Sequence, residues 1–224
     1  MIKDNILKVR QRISLACFKI NQDPRKITVI AVSKSRTPEQ IKEAVAAGIT
    51  DIGENKVQEA IIKYHELSGI GLKTATIKWH MVGHLQSNKV KDAVKIFDLI
   101  QSVDSLRLTE EINKQAAKIN KIQDIFLEVK TSCEESKFGL KPEEAFEFVR
   151  NIPAFKNINI KGLMTIAPAV DDPQRTRPYF RMLRELSIKI NKPLVLSMGM
   201  TDDFEAAIEE GSTMVRIGRA IFEG

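Results

Sequence analysis

Two cations sit where a soluble chain seldom places them. Lys34 follows the apolar, β-branched run ITVIAVS at 27–33. A lysine at the end of such a strand projects into the mouth of the fold, where partial burial and nearby cations favour the neutral, nucleophilic amine that Schiff-base chemistry needs. Taken alone, Lys34 fits a strand-capping lysine whose ammonium snorkels to solvent better than it fits a nucleophile. Arg216 lies inside the apolar strand Met-Val-Arg-Ile-Gly, and a charge there needs a partner or a ligand. The partner is either an internal carboxylate or a heteroaromatic ring nitrogen. A guanidinium only donates, so it would keep a pyridine nitrogen unprotonated.

Two loops have the character of an anion site. Ser197-Met198-Gly199-Met200-Thr201-Asp202-Asp203 runs into a helix, with Gly199 allowing close backbone approach and Thr201 as the expected N-cap. Arg216-Ile217-Gly218-Arg219 opens a second helical turn. Free N–H groups at such helix starts bind phosphate. Ordinary capping by Thr201, Asp202 and Asp203 accounts for the same residues. His80 and His84 are spaced i, i+4 in WHMVGH, but Trp79, Val82 and Gly83 suggest a strand turning into a loop, so no metal site is expected. Lys137, in EESKFG, reads as a solvated loop lysine or a second reactive amine, and Arg177, Arg181 and Arg184 as a solvated helix face.

These residues need elements to position them. ITVIAVS (27–33), TDIG (50–53), KWHMVG (78–83), DLIQSV (98–103), DIFLEVKTS (124–132), INIKGLMTI (158–166), PLVLSMG (193–199) and TMVRIG (213–218) read as eight strands. Helical segments separate them, among them PEQIKEAVAAG behind Thr37-Pro38 and SLRLTEEINKQAAKI with Ser105 as its cap. Strands alternating with helices imply parallel pairing and right-handed crossovers. Eight units in one chain fit a single (β/α)₈ barrel over residues 1–224, with an extra amphipathic helix at the amino terminus. An open doubly wound sheet is the alternative, but no G-x-G-x-x-G follows the first strand. In a barrel the strand ends carrying Lys34, Asn55, Met164, Ser197 and Arg216 share one face, and the loops after strands seven and eight are its habitual phosphate site.

Composition narrows the class. The chain has 224 residues, 35 Lys plus Arg against 29 Asp plus Glu, and a formal charge of +6. That excess permits an anionic ligand without requiring one. Two cysteines, Cys17 and Cys133, make neither a zinc motif nor a disulfide framework, which favours a reducing, cytoplasmic compartment. No apolar stretch is long enough to span a membrane, the first helix lacks the features of a signal peptide, and no nucleic-acid motif is present.

In combination, AVSKSRTPEQIKEAVAAGITDIGENKVQEA, KWHMVGHLQSNKVK, IQSVDSLRL, SCEESKFGL, KGLMTI and LSMGMTDDFEAAIEEGSTMVRIG resemble the pyridoxal phosphate homeostasis proteins, across almost the whole chain and in family order. The resemblance implies a barrel like the amino-terminal domain of alanine racemase (fold-type III) and pyridoxal 5′-phosphate as cofactor. It implies that Lys34 forms the internal aldimine, that Asn55, Met164 and Ser197 line the pocket, and that Arg216 faces the pyridine nitrogen. Gly199 would be a close-approach glycine, and Thr201, Gly218 and Arg219 match the phosphate positions. Three positions depart from the family pattern: Thr201 stands where Ser is commonest, Cys133 where a small residue such as Gly is expected, and Arg219 where Ser or Thr is usual.

A racemase of this fold needs a second base opposite the lysine, usually a tyrosine from an additional domain. The tyrosines here, Tyr64 and Tyr179, fall within or near helices, and the chain ends just after strand eight. A ring nitrogen facing Arg216 also makes a weaker electron sink. The expectation is a monomeric, non-catalytic carrier that buffers pyridoxal phosphate or delivers it to apo-enzymes. An amino-acid racemase, or another fold-type III enzyme completed by a partner, is the alternative. A phosphate-binding barrel without the cofactor is a third reading.

Overall fold

The structure, a computed structural model, describes residues 1–69, 77–132, 134, 138–151 and 155–223. Its strands are β1 (Thr28–Val32), β2 (Asp51–Glu54), β3 (Lys78–Met81), β4 (Leu99–Val103), β5 (Gln123–Glu128), β6 (Ile158–Met164), β7 (Val195–Ser197) and β8 (Met214–Ile217). They form a closed barrel in sequence order, every pair parallel, with β8 returning to β1 through Ile30 opposite Arg216. The doubly wound alternative is therefore excluded. Seven of the strands are shorter than the runs that predict them, and β2 keeps four residues but is shifted one place along. The run DIFLEVKTS (124–132), for example, keeps strand geometry only as far as Glu128, and the residues beyond it turn into the loops of the mouth.

The helices are α1 (Ile2–Lys19), α2 (Pro38–Ala46), α3 (Val57–Gly69), α4 (Val90–Ile96), α5 (Leu106–Ala117), α6 (Pro142–Asn151), α7 (Arg177–Ile190), α8 (Phe204–Glu209) and α9 (Arg219–Phe222). Local chemistry sets their starts. Thr37 and Gln40 form a reciprocal capping box ahead of Pro38. The Ser105 hydroxyl accepts from the Leu108 N–H at 3.3 Å, as its sequence position predicts.

Strand alternation splits the core into two layers. Ile30, Leu99, Phe126, Met164 and Met214 cluster inside the barrel. A larger layer, including Trp79, Phe97, Phe180 and Phe204, fills the space between sheet and helices. The additional helix α1 buries Ile2, Ile6, Val9, Ile13 and Cys17. It is tied down along its length: the Asn5 side chain donates to the Ile221 carbonyl at 3.1 Å, Arg12 pairs with Glu205 at 2.6 Å, and Lys19 with Glu209 at 2.7 Å. Among the described residues no helix is long and apolar enough to cross a membrane.

Candidate functional site

At the end of β1 the chain makes a turn in which the Arg36 N–H donates to the Ser33 carbonyl at 3.0 Å. Ser35 takes the left-handed conformation, with φ of 59°. This turn aims Lys34 at the mouth but leaves it exposed, so the partial burial expected of it is not found. The turn rests on a buried ion pair behind the sheet. Lys63 Nζ donates to the Ser33 carbonyl at 2.6 Å and to Glu54 Oε1 at 2.7 Å, and the Ser33 hydroxyl donates to the same carboxylate at 2.5 Å. Burial pushes the Glu54 carboxyl above its ordinary range despite the opposing pull of Lys63 and Ser33.

Arg216 is 4% exposed. Its Nη1 donates to the Ser197 carbonyl at 2.8 Å and to the Ser197 hydroxyl at 2.7 Å, and its Nη2 donates to the Thr165 carbonyl at 2.8 Å. These partners are neutral oxygens, and the charge is balanced at longer range by Glu128 and Asp203. Burial pushes the guanidinium down to about 10, with both carboxylates opposing the shift, so Arg216 stays cationic at neutral pH. Glu128 is the reciprocal case. It is 8% exposed, and burial, reinforced by Asp104, pushes it up to about 7 against the pull of Arg216.

The two expected anion loops meet. Gly199 adopts φ of +94°, and a Cβ there would lie 2.6 Å from the Ala207 Cβ, so only glycine lets the loop pass over α8. Helix α8 begins at Phe204, not at Thr201, because the Asp203 carboxylate takes the Met200 N–H at 2.6 Å and holds residues 200–203 in a turn. Thr201 is thus not the N-cap. Its hydroxyl instead accepts from the Ala220 N–H at 3.4 Å, linking this loop to α9. Arg219 pairs with Asp202 at the rim.

One cavity of about 420 Å³ brings together Lys34, Asn55, Thr201, Arg216, Gly218 and Arg219. Val32, Val82, Ile166, Met200, Asp202 and Glu223 complete its lining. Of these, Val32 and Val82 were legible as strand-end residues, whereas Glu223 carries no motif. Met164, Ser197 and Gly199 do not line the cavity. Met164 packs in the inner barrel cluster, and Ser197 lies beneath Arg216. Gly83 lets its loop approach Asn55, whose carbonyl oxygen would sit 2.5 Å from a Cβ at that position. Beside the mouth, Glu128, Lys130, Thr131 and Phe138 line a smaller space of about 160 Å³ that shares Ile166 with it. A cavity of about 470 Å³ lined by Arg10, Thr28 and Asp51 lies at the opposite end of the strands, and none of the expected site residues borders it.

The remaining candidates separate. His80 points into the barrel between Asp51 and Gln101, while His84 stacks on Phe138 at 3.7 Å and lies 3.3 Å from Asp104. Arg181 and Arg184 are exposed, as expected of a solvated face, whereas Arg177 is only 24% exposed. Arg177 pairs with Glu209 and Glu210, and Arg181 with Glu210 at 3.0 Å, because α7 lays these arginines along the end of α8. Cys133 and Lys137 lie outside the described residues.

Comparison with known proteins agrees with this architecture. The family model for the alanine racemase N-terminal domain matches residues 3–224. A pyridoxal phosphate homeostasis protein of Aquifex aeolicus is 40% identical over 227 residues, covering 98% of this chain and 96% of the relative. The structure of PipY of Synechococcus elongatus with PLP bound is 33% identical with a TM-score of 0.85, covering 99% of this chain and 100% of that one. An alanine racemase of Clostridium difficile is 16% identical with a TM-score of 0.74, over 98% of this chain and 56% of that one, a likeness of fold alone. On sequence, fold and full-length coverage together, the chain belongs to the pyridoxal phosphate homeostasis protein family, built on the alanine racemase N-terminal domain.

Proposed function

We propose that this chain binds pyridoxal 5′-phosphate reversibly through Lys34 and holds or hands on the cofactor with little or no catalysis. The observation that carries this reading is the convergence of Lys34, Thr201, Arg216, Gly218 and Arg219 on one cavity. Its volume, about 420 Å³, lies within the roughly 300–1,000 Å³ of small-molecule sites. The donor set fits the group: a primary amine for an aldehyde, a hydroxyl and an arginine for a phosphate, and a buried guanidinium for a ring nitrogen. Bound there, the cofactor supplies an aldehyde that amines attack and a pyridine ring that draws electrons most strongly when protonated.

The chain's own residues favour holding over turnover. Arg216 can only donate, so it keeps the ring nitrogen unprotonated and the ring a weak electron sink. No tyrosine lines the cavity among the described residues. Tyr64 packs edge-on against Trp79 at 5.8 Å, and Tyr179 packs in the layer outside the sheet. The cavity's carboxylates are engaged, Asp202 by Arg219 and Glu223 by Arg36. We propose a monomer acting in the cytoplasm, with apo-enzymes as the recipients of the cofactor.

The test is the visible spectrum of the protein after incubation with pyridoxal phosphate. A Schiff-base band in the wild type that is lost in Lys34→Ala is the expected result, and no wild-type band refutes the reading. Turnover of an amino-acid panel at about 1–10³ s⁻¹ would instead make it an enzyme. Transfer to an apo-enzyme faster than release into buffer is expected of a delivery protein.

A further inference from the structure

A file of polar side chains runs through the barrel interior from Arg216 at the mouth to Asp51 at the opposite end of the strands. Arg216 Nη1 donates to Ser197 Oγ at 2.7 Å, and the Ser197 hydroxyl donates to Gln101 Oε1 at 2.7 Å. Gln101 Nε2 lies 3.0 Å from His80 Nδ1 and 3.4 Å from the Met214 sulfur. His80 Nε2 lies 2.9 Å from Asp51 Oδ1, and Asp51 Oδ2 accepts from the Thr50 hydroxyl at 2.6 Å. Asp51, His80, Gln101, Ser197 and Arg216 are all buried, and they come from β2, β3, β4, β7 and β8.

The chemistry of the partners fixes the direction of every bond. A guanidinium only donates, so Ser197 Oγ accepts there and its single proton goes to Gln101. Gln101 therefore presents its carbonyl to Ser197 and its amide N–H groups to His80 and the thioether, which only accepts. His80 Nδ1 accepts, so the ring proton sits on Nε2 and is donated to Asp51. All donors point the same way, from the cation to the carboxylate, and dipoles so aligned reinforce one another. Burial acts to raise the Asp51 carboxyl, but the bonds from His80 and Thr50 hold it below its ordinary range, as the anionic end of the file requires.

We infer that Asp51, His80 and Gln101 are positioning residues for Arg216, holding its guanidinium in one orientation at the floor of the mouth cavity before a ligand arrives. The inference rests on the proposed reading of Arg216 as the group that faces the cofactor. The physical argument is that of any preorganised site: a donor aimed in advance loses less on binding than one that must be ordered by its ligand. The layer around Met214 and Phe126 is apolar. A polar file through it is stable only when every member is satisfied, so removing one link leaves its neighbours with an unpaired buried group and loosens the hold on Arg216 beyond its two backbone carbonyls.

The file is read first in the cofactor-free protein by ¹⁵N NMR of the His80 ring and the Arg216 side chain. The expected wild-type result is an accepting Nδ1, a protonated Nε2 and slowly exchanging Arg216 Nη protons. In Gln101→Leu those protons exchange at least about tenfold faster, the effect of a lost buried hydrogen bond. Gln101→Glu still accepts from Ser197, so it keeps them slow while forcing His80 to donate from both nitrogens. With cofactor bound, the pH profile of the Schiff-base band shifts in Gln101→Leu and not in Gln101→Glu. A wild-type His80 protonated on Nδ1 alone, or a folded Gln101→Leu with unchanged Arg216 exchange, overturns the inference. If Gln101→Leu does not fold, the wild-type tautomer and Gln101→Glu decide. Intact NMR signatures in a wild type that forms no Schiff-base band support the file and refute the cofactor reading instead.

Discussion

Ser197 offers Arg216 two oxygens at once, its carbonyl at 2.8 Å and its hydroxyl at 2.7 Å from the same Nη1. The carbonyl is fixed by the strand, while the hydroxyl connects the guanidinium to Gln101. Ser197→Ala should therefore leave a folded protein whose Arg216 still reaches the Ser197 and Thr165 carbonyls but has lost its link to Gln101. A hydrogen bond to a charged group is worth about 1.5–3 kcal/mol, so the cofactor should be held at least about tenfold more weakly. Titration of the Schiff-base band checks this, and affinity equal to wild type would remove the hydroxyl from any role in positioning.

Lys63 reaches under β1 to Ser33 and Glu54, 2.6 and 2.7 Å away, and so anchors the turn that carries Lys34. Lys63→Met leaves the fully buried Glu54 charge without its cation. Breaking one side of a buried pair typically destabilises by about 3–5 kcal/mol. At about 2–4 °C per kcal/mol for a chain of this size, Tm should fall by about 6–20 °C. Adding Glu54→Gln removes the stranded charge and should recover at least half of the loss. Calorimetry of the two variants checks both steps, and a single variant as stable as wild type would contradict the account.

The fold was legible because parallel strands buried on both faces read as apolar runs, and eight of them alternate with helices. Lys34 and Arg216 stood out because each interrupts or ends such a run. What could not be read is what those cations touch. Arg216 meets Ser197 from the neighbouring strand, and Ser197 meets Gln101, 96 positions away. No local spacing encodes that contact, since barrel closure creates it. The same reason hid the partners of Arg177 and Arg181, which become Glu209 and Glu210 only once α7 and α8 pack. Thr201 missed its predicted capping role because the Asp203 and Phe204 N–H groups, which a cap at Thr201 would take, donate to the Met200 carbonyl at 3.2 and 2.9 Å.

Asp202 occupies Arg219 at the rim of the cavity, both side chains being more than half exposed. Exposed pairs are worth about 0.2–1 kcal/mol. Asp202→Asn should release the guanidinium and remove a negative charge from a site proposed to take a phosphate. Binding of pyridoxal phosphate should strengthen by about two- to fivefold at low ionic strength, and the gain should fade as salt screens it. The comparison is a pair of titrations at low and high salt. Weaker binding in Asp202→Asn would mean that the ion pair holds Arg219 in place instead of competing for it.

Glu128 gives a pH dependence whose sign is fixed by its surroundings. Its carboxyl is pushed up to about 7 by burial first and by Asp104 second, while Arg216 opposes. The folded protein thus binds this proton more tightly than the unfolded chain does, where a glutamate titrates near 4.3. Below about pH 4 the group is neutral in both states and imposes no penalty. Between about pH 4 and 7 the unfolded chain ionises while the folded one does not, so stability falls as pH rises, and above about pH 7 the penalty is constant. A shift of this size corresponds to an order of 3 kcal/mol. Glu128→Gln keeps the shape of the neutral acid and cannot ionise. It should match wild type at pH 5 to within about 1 kcal/mol and exceed it by about 2–3 kcal/mol at pH 8. Urea unfolding at the two pH values measures the difference. Equal stabilities at pH 8 would mean that Arg216 neutralises the Glu128 carboxylate fully, and the two would then have to be treated as an ion pair across the mouth.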